Sequence, residues 1–250
     1  MLEFKDVTFE YSGYDCNMMD KLSFKVNDGE FISIIGASGC GKSTVFRLIN
    51  GLEKPQSGKV LVDGEDITLK KNYSAYMPQK DLLYPWRTIE KNICLPMEIQ
   101  KKSKSEMAQR AEEMLKEVGL WEYRNKYPKD LSGGMKQRAS FARTLLTGSE
   151  LLLLDEPFSA LDSLTKISLQ EWLVDEWQKH KKTILFVTHD VEEALFLSKK
   201  IFIIKDRPVT YFEEYEVPLS YPRTREDMKR GDVTEIKEML INQLRGKVEL

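Results

Sequence analysis

Apolar residues fall along this chain in two kinds of run. In Leu2 to Glu10 and Leu22 to Val26 they alternate with polar positions, the period of a strand with one wet face, and the second run closes on Asn27-Asp28-Gly29. These two read as an antiparallel pair. Phe31-Ile32-Ser33-Ile34-Ile35 and Leu151-Leu152-Leu153-Leu154 are unbroken instead, and the leucine run predicts a central parallel strand covered on both faces. Lys59 to Val62 with an Asp63-Gly64 turn, Ser74 to Met77, Ile184 to Val187 and Ile201 to Ile204 supply further strands. Elsewhere the spacing is helical: up to about Asn50 after a glycine-rich stretch, from Met135 to Thr147, and from about Leu164 to Lys181. Over Lys104 to Val118 the positions Met107, Ala111, Met114, Leu115 and Val118 form one stripe of ordinary core. A last stretch, Val233 to Leu244, carries Ile236, Met239, Leu240 and Leu244 as its stripe, behind a closing strand. Alternation of β and α on either side of a helical insert predicts an α/β fold.

Chemistry enters where the first unbroken run ends. Phe31 to Ile35 leads directly into Gly36-Ala37-Ser38-Gly39-Cys40-Gly41-Lys42-Ser43-Thr44, which fits G-x-x-x-x-G-K-[ST] without a gap. Backbone N–H groups in such a loop converge on one centre, and the following helix turns its positive end toward the same charge. Gly36, Ser38, Gly39, Cys40 and Gly41 therefore read as a phosphate cradle. Lys42 supplies a point charge for the β- and γ-phosphates, Ser43 a hydroxyl for Mg²⁺, and Thr44 assists at the α-phosphate. The leucine run ends in Asp155-Glu156-Pro157, so two carboxylates emerge at the carboxyl end of a buried strand, where ligand sites of open α/β sheets lie. Asp155 suits the Mg²⁺ shell, and Glu156 is left to polarise an attacking water, which favours ATP hydrolysis over binding alone. The bland alternative is a helix-capping acid pair.

Between the loop and these acids lies Leu131-Ser132-Gly133-Gly134-Met135-Lys136-Gln137-Arg138, and with it the chain resembles the ATP-binding-cassette (ABC) family, whose signature sequence it matches. The resemblance implies a P-loop NTPase with a RecA-like core, an antiparallel β subdomain and an inserted α-helical subdomain. In this chain that would be one domain over 1–250, with 1–80 and 149–210 as core, 81–148 as helical subdomain and 211–250 as a C-terminal strand and helix. It also implies that Ser132, Gly133 and Gly134 contact the γ-phosphate held by a second copy. A serine and two glycines opening a helix offer free N–H groups to an anion, in agreement with that role. Gln79 resembles the glutamine that touches Mg²⁺ or the attacking water, Ser159-Ala160-Leu161-Asp162 the loop that crosses to the partner, and His189 the switch histidine near the γ-phosphate. His180, in a charged helix end, reads as plain surface. Tyr11 resembles the aromatic that stacks on adenine, with Tyr14 as the alternative; such stacking contributes about 1 kcal/mol and tolerates either purine.

The same resemblance implies a homodimer that closes on two ATP molecules and pulls on a separate integral membrane permease, fed indirectly by a solute-binding protein. Leu82-Leu83-Tyr84-Pro85-Trp86 lies where the permease is seated, and Pro85-Trp86, with Val217-Pro218-Leu219 and Pro222-Arg223, is similar to the branch importing nitrate, sulfonates, taurine and thiamine precursors. Tyr84 departs from the commoner leucine there, and a buried anchor is the alternative for Trp86. A small organic or inorganic anion or a thiamine precursor is thus the expected solute. The competing classes are an exporter or lipid-extraction ATPase, a soluble cassette ATPase outside transport, and a nucleotide-binding regulator without hydrolysis.

Composition narrows these. The chain has 250 residues, 41% apolar, enough for a sizeable core, and a formal charge of −2 with acids and bases interspersed, so no basic field recruits nucleic acid. Cys16, Cys40 and Cys94 are an odd number without metal-ligand spacing, which points to a reducing cytoplasm. Glu3 and Asp6 interrupt any signal-like apolar segment and no run of 18 apolar residues exists, so the expected place is the cytoplasmic face of the plasma membrane, held there through the permease.

Overall fold

The computed structural model describes residues 1–13 and 17–245; Tyr14 and Cys16 lie outside the described residues. In chain order the elements are β1 (Leu2–Phe9), β2 (Met19–Val26), β3 (Phe31–Gly36), α1 (Lys42–Ile49), β4 (Ser57–Val62), β5 (Glu65–Asp66), β6 (Ser74–Met77), α2 (Ile89–Ile93), α3 (Leu95–Ile99) and α4 (Lys104–Glu117). There follow α5 (Gly133–Leu145), β7 (Leu151–Asp155), α6 (Ser163–His180), β8 (Thr183–Val187), α7 (Val191–Leu197), β9 (Lys200–Ile204), β10 (Glu213–Glu216) and α8 (Gly231–Arg245). They form two compact units, one of residues 1–73 with those from 174 onward and one of residues 74–173.

In the first unit, β1 lies antiparallel to both β2 and β4, with Leu2, Phe4, Val7 and Phe9 buried on its inner face. The Asp63-Gly64 pair, both at positive φ, turns β4 back onto β5, because a two-residue hairpin whose twist matches its strands needs that geometry. Beside this sheet, β3 runs parallel to β8 and to β9, and β10 closes the edge antiparallel to β9. Every residue of β3 and β8 is buried, as expected of strands covered on both faces. Aromatic rings join the two sheets: Phe24 stacks on Phe4 at 4.4 Å and meets Phe202 at 5.8 Å and Phe212 at 4.8 Å. On the other side of β3, Ile35 packs with Val191, Ala194 and Leu195 of α7 and with Val233 and Leu240 of α8.

One expectation fails in α8. Val233 and Leu240 are buried and Ile236 and Leu244 partly so, but Met239 is 39% exposed and Ile241 packs in its place. Residues 239 and 241 flank Leu240 on opposite sides of the stripe, so periodicity alone does not choose between them; the neighbouring helix does.

In the second unit, β6 and β7 are parallel, pairing Ser74 with Leu151 and Met77 with Leu154. The helical block packs around α5, whose Phe141 meets Phe158 at 5.7 Å and Trp172 at 6.0 Å edge-on. Along α4, Ala111 and Leu115 are buried, as is Val118 just beyond it, with Met107 and Met114 half-buried. Ser103 caps α4 and Thr88 caps α2, each accepting a first-turn N–H.

Candidate active site

In the first unit the glycine-rich loop connects β3 to α1. A Cβ at Gly36 would lie 2.7 Å from the Cys40 sulfur and 2.9 Å from the Ile204 carbonyl oxygen, so only glycine lets β3 pass its neighbour here. Gly41, at φ 115°, precedes α1 without any side-chain cap, which leaves the helix's first N–H groups to whatever the loop encloses. Lys42 is 8% exposed, and its ammonium donates to the carbonyls of Gly36 and Ala37, both at 2.8 Å. The charge is thus folded back over the loop mouth. Cys40 lies 3.9 Å from that ammonium, but burial pushes its thiol up, so it stays a neutral packing group.

Two further predicted residues belong to the same unit. The Tyr11 hydroxyl lies 3.3 Å from Thr44 Oγ1 and accepts from Arg47 at 3.3 Å, which fixes the ring beside α1. His189 follows β8, and because Ile34 pairs with Val187 in register, the residues after β3 and β8 leave the same sheet edge. The next residue, Asp190, caps α7 by accepting from the N–H groups of Glu192 and Glu193.

The second unit carries the acids. Asp155 ends β7 buried, with its carboxylate accepting from Tyr76 Oη at 3.3 Å. Glu156 stands at φ 49°, a left-handed conformation that costs a residue with a Cβ about 1–3 kcal/mol and is kept where surroundings over-determine it. Gln79 Nε2 donates to Glu156 Oε2 at 3.0 Å, so two predicted site residues are joined directly. Ser132 caps α5 by accepting from Met135 N at 3.3 Å, and Ser132 and Gly133 are exposed. Asp162 is likewise exposed and caps α6; the Thr165 N–H donating to it holds its carboxyl below the usual range.

Three residues that the sequence did not single out hold these parts. Gln137, on the buried face of α5, bonds the chain following Glu156. Arg143 donates to the carbonyls of Asp81 at 2.8 Å and Leu82 at 2.9 Å, securing the segment after Gln79. Asn92, fully buried, accepts from Tyr84 N at 2.8 Å and donates to the carbonyls of Tyr84, Arg87 and Thr88. Their signal in the sequence is a polar residue at a core position of a helix. Trp86, on the turn that Asn92 ties down, is 70% exposed, which overturns the buried-anchor alternative.

Known proteins share much of this sequence and fold. Residues 19–159 match the family described as ABC transporter. This chain belongs to that family. Among its relatives are the formylaminopyrimidine import ATP-binding protein ThiZ of Halalkalibacterium halodurans, 46% identical over 92% of this chain and 90% of that protein, and the aliphatic sulfonates import ATP-binding protein SsuB of Bacillus anthracis, 39% identical over 83% of this chain and 82% of that one. A dimeric post-hydrolysis structure of an ATP-binding cassette bound to ADP and Pi superposes with a TM-score of 0.79, at 29% identity, over 88% of this chain and all of that one. The cassette is therefore an ABC ATPase with the P-loop α/β fold, similar to the importer branch. No helix among the described residues is long and apolar enough to cross a membrane.

Proposed function

We propose that this chain is the ATP-hydrolysing subunit of an importer, working as a homodimer on a separate membrane permease at the cytoplasmic face, for a small anion or thiamine precursor delivered by a solute-binding protein. The observation that carries the reading is the 46% identity to an import ATP-binding protein across 92% of the chain. Lys42 exchanges the carbonyls of Gly36 and Ala37 for the β- and γ-phosphates, and Ser38, Gly39, Cys40, Gly41 and Thr44 supply loop N–H groups and a hydroxyl. Tyr11 faces adenine.

Ser43, Gln79 and Asp155 each carry an oxygen donor of the kind a hard cation takes, and such an ion completes its shell with water and phosphate oxygens. Mg²⁺, when bound with ATP, neutralises charge on the transferring phosphoryl group. Glu156 accepts hydrogen bonding from the attacking water and orients it; Gln79, its hydrogen-bond partner, keeps the carboxylate aimed. His189 donates toward the γ-phosphate. Ser132, Gly133 and Gly134, with Asp162 nearby, close the site from the partner copy.

Leu82 at 60%, Tyr84 at 40% and Trp86 at 70% exposure give this unit an apolar projection suited to a coupling helix of the permease. The test is affinity purification of the tagged chain from its own membranes. A multi-span permease is expected to copurify, and Trp86→Ala is expected to reduce its recovery about ten-fold while shifting the thermal midpoint by less than about 2 °C, because an exposed side chain contributes little to folding. Recovery of ribosomes or assembly scaffolds in place of a permease would overturn the proposal.

A further inference from the structure

Glu156 is held in its strained conformation by the signature helix of its own chain. Gln137 is 4% exposed, and all of its amide is used on the segment after Glu156. Its Nε2 donates to the Glu156 carbonyl at 2.9 Å and to Ser159 Oγ at 3.1 Å, and its Oε1 accepts from Ala160 N at 2.7 Å. The assignment of the amide is fixed by chemistry, since the Ala160 N–H can only donate and a carbonyl can only accept. Ser159 Oγ adds a bond of its own to the Glu156 carbonyl at 3.0 Å. One helical turn before Gln137, Gly134 lies so near the same loop that a Cβ there would stand 2.9 Å from the Ala160 carbonyl oxygen. Residues three apart share one face of a helix, so the start of α5 and residues 156–160 meet as two matched surfaces, and neither moves without the other.

We infer that Gln137 is a positioning residue for hydrolysis: it transmits the placement of the Ser132-Gly133-Gly134 helix start to the Glu156 carboxylate, so that seating this helix on a second copy's nucleotide sets the geometry of the hydrolytic carboxylate in its own chain. The inference rests on the proposed role of Glu156. Gln137 touches neither nucleotide nor water in this scheme; it acts through the backbone of residue 156. Gln137 itself is buried while Ser159 and Ala160 reach the surface, so an unmet amide group on the Gln137 side is costly and the satisfied one holds the loop in place.

Phosphate release by the purified chain, with Mg²⁺ and ATP, tests this. Gln137→Ala and the isosteric Gln137→Glu, which keeps the bond from Ala160 N but cannot donate, are both expected to lower kcat about ten-fold or more with KM for ATP within about two-fold. Ser159→Ala, at an exposed position where folding is safe, removes one arm and is expected to lower kcat about two- to five-fold, again without a change in KM. In a Glu156→Gln background, adding Gln137→Glu is expected to change the residual turnover less than about two-fold, because the two act as one unit. Unchanged kcat in Gln137→Glu and Ser159→Ala with only a lowered thermal midpoint would overturn the inference, as would a loss confined to KM. Full turnover in Glu156→Gln alone would instead remove the reading beneath it.

Discussion

Tyr221 shows how one side chain couples the C-terminal segment to pH. Its hydroxyl donates to the Leu197 carbonyl at 2.7 Å, its ring meets Trp177 at 4.7 Å, and burial pushes its phenol up to about 12. The neutral form is the one the fold accepts. Stability from this site is therefore complete below pH 10, the ordinary phenol value, and is lost as the unfolded chain ionises first between pH 10 and 12, by about 2–3 kcal/mol at most. Urea unfolding across that range is expected to show the loss in the native chain and a flatter profile in Tyr221→Phe; parallel profiles would contradict the assignment. At this scale the sequence was uneven in what it disclosed. Gly36, Lys42, Asp155 and Glu156 stood out as candidates because phosphate chemistry asks for residue type and spacing together. Gln137, Asn92 and Tyr221 did not, since each bonds backbone atoms whose distance in sequence no local pattern encodes.

Among the elements, α7 depends most visibly on a distant segment. Arg223, 6% exposed, donates to the carbonyls of Leu195 at 2.7 Å, Phe196 at 3.2 Å and Ser198 at 2.8 Å, and twice to Leu219, so that a guanidinium fills the place of a C-terminal cap and complements the helix dipole. Lys237 of α8 reaches Glu192 at the helix's other end. Arg223→Ala leaves those carbonyls buried without donors and is expected to destabilise the chain by about 3 kcal/mol or more. Differential scanning calorimetry should register this as a midpoint lower by roughly 6–12 °C; a shift under about 2 °C would show the cap to be dispensable. Strands and helices themselves were readable: β6 begins and ends where its alternation does, and α4 stops one residue short of its expected end. Pro222-Arg223 was visible only as a likeness to relatives, because a cap built from a loop residue leaves no periodicity.

For the whole molecule, two kinds of surface matter and the hydrophobic pattern reveals one. Leu82, Tyr84 and Trp86 stand out as apolar residues in solvent. Ser132 and Gly133, exposed at the start of α5, do not: in the role proposed for them, meeting phosphate on a second copy, a surface needs N–H groups and small residues and no apolar stripe. That proposed role rests on the signature sequence alone. The central claim is that two copies trap ATP between the Lys42 loop of one and the Ser132 helix start of the other, with Glu156 ending the trapped state. Sedimentation of Glu156→Gln with ATP and Mg²⁺ measures it directly. Turnover is expected to fall at least about a hundred-fold below the native chain, worth about 2.7 kcal/mol, with a stable dimer that falls apart when ADP replaces ATP or when Lys42→Ala is added. A variant that stays monomeric with ATP at high concentration, with its permease present, would contradict it.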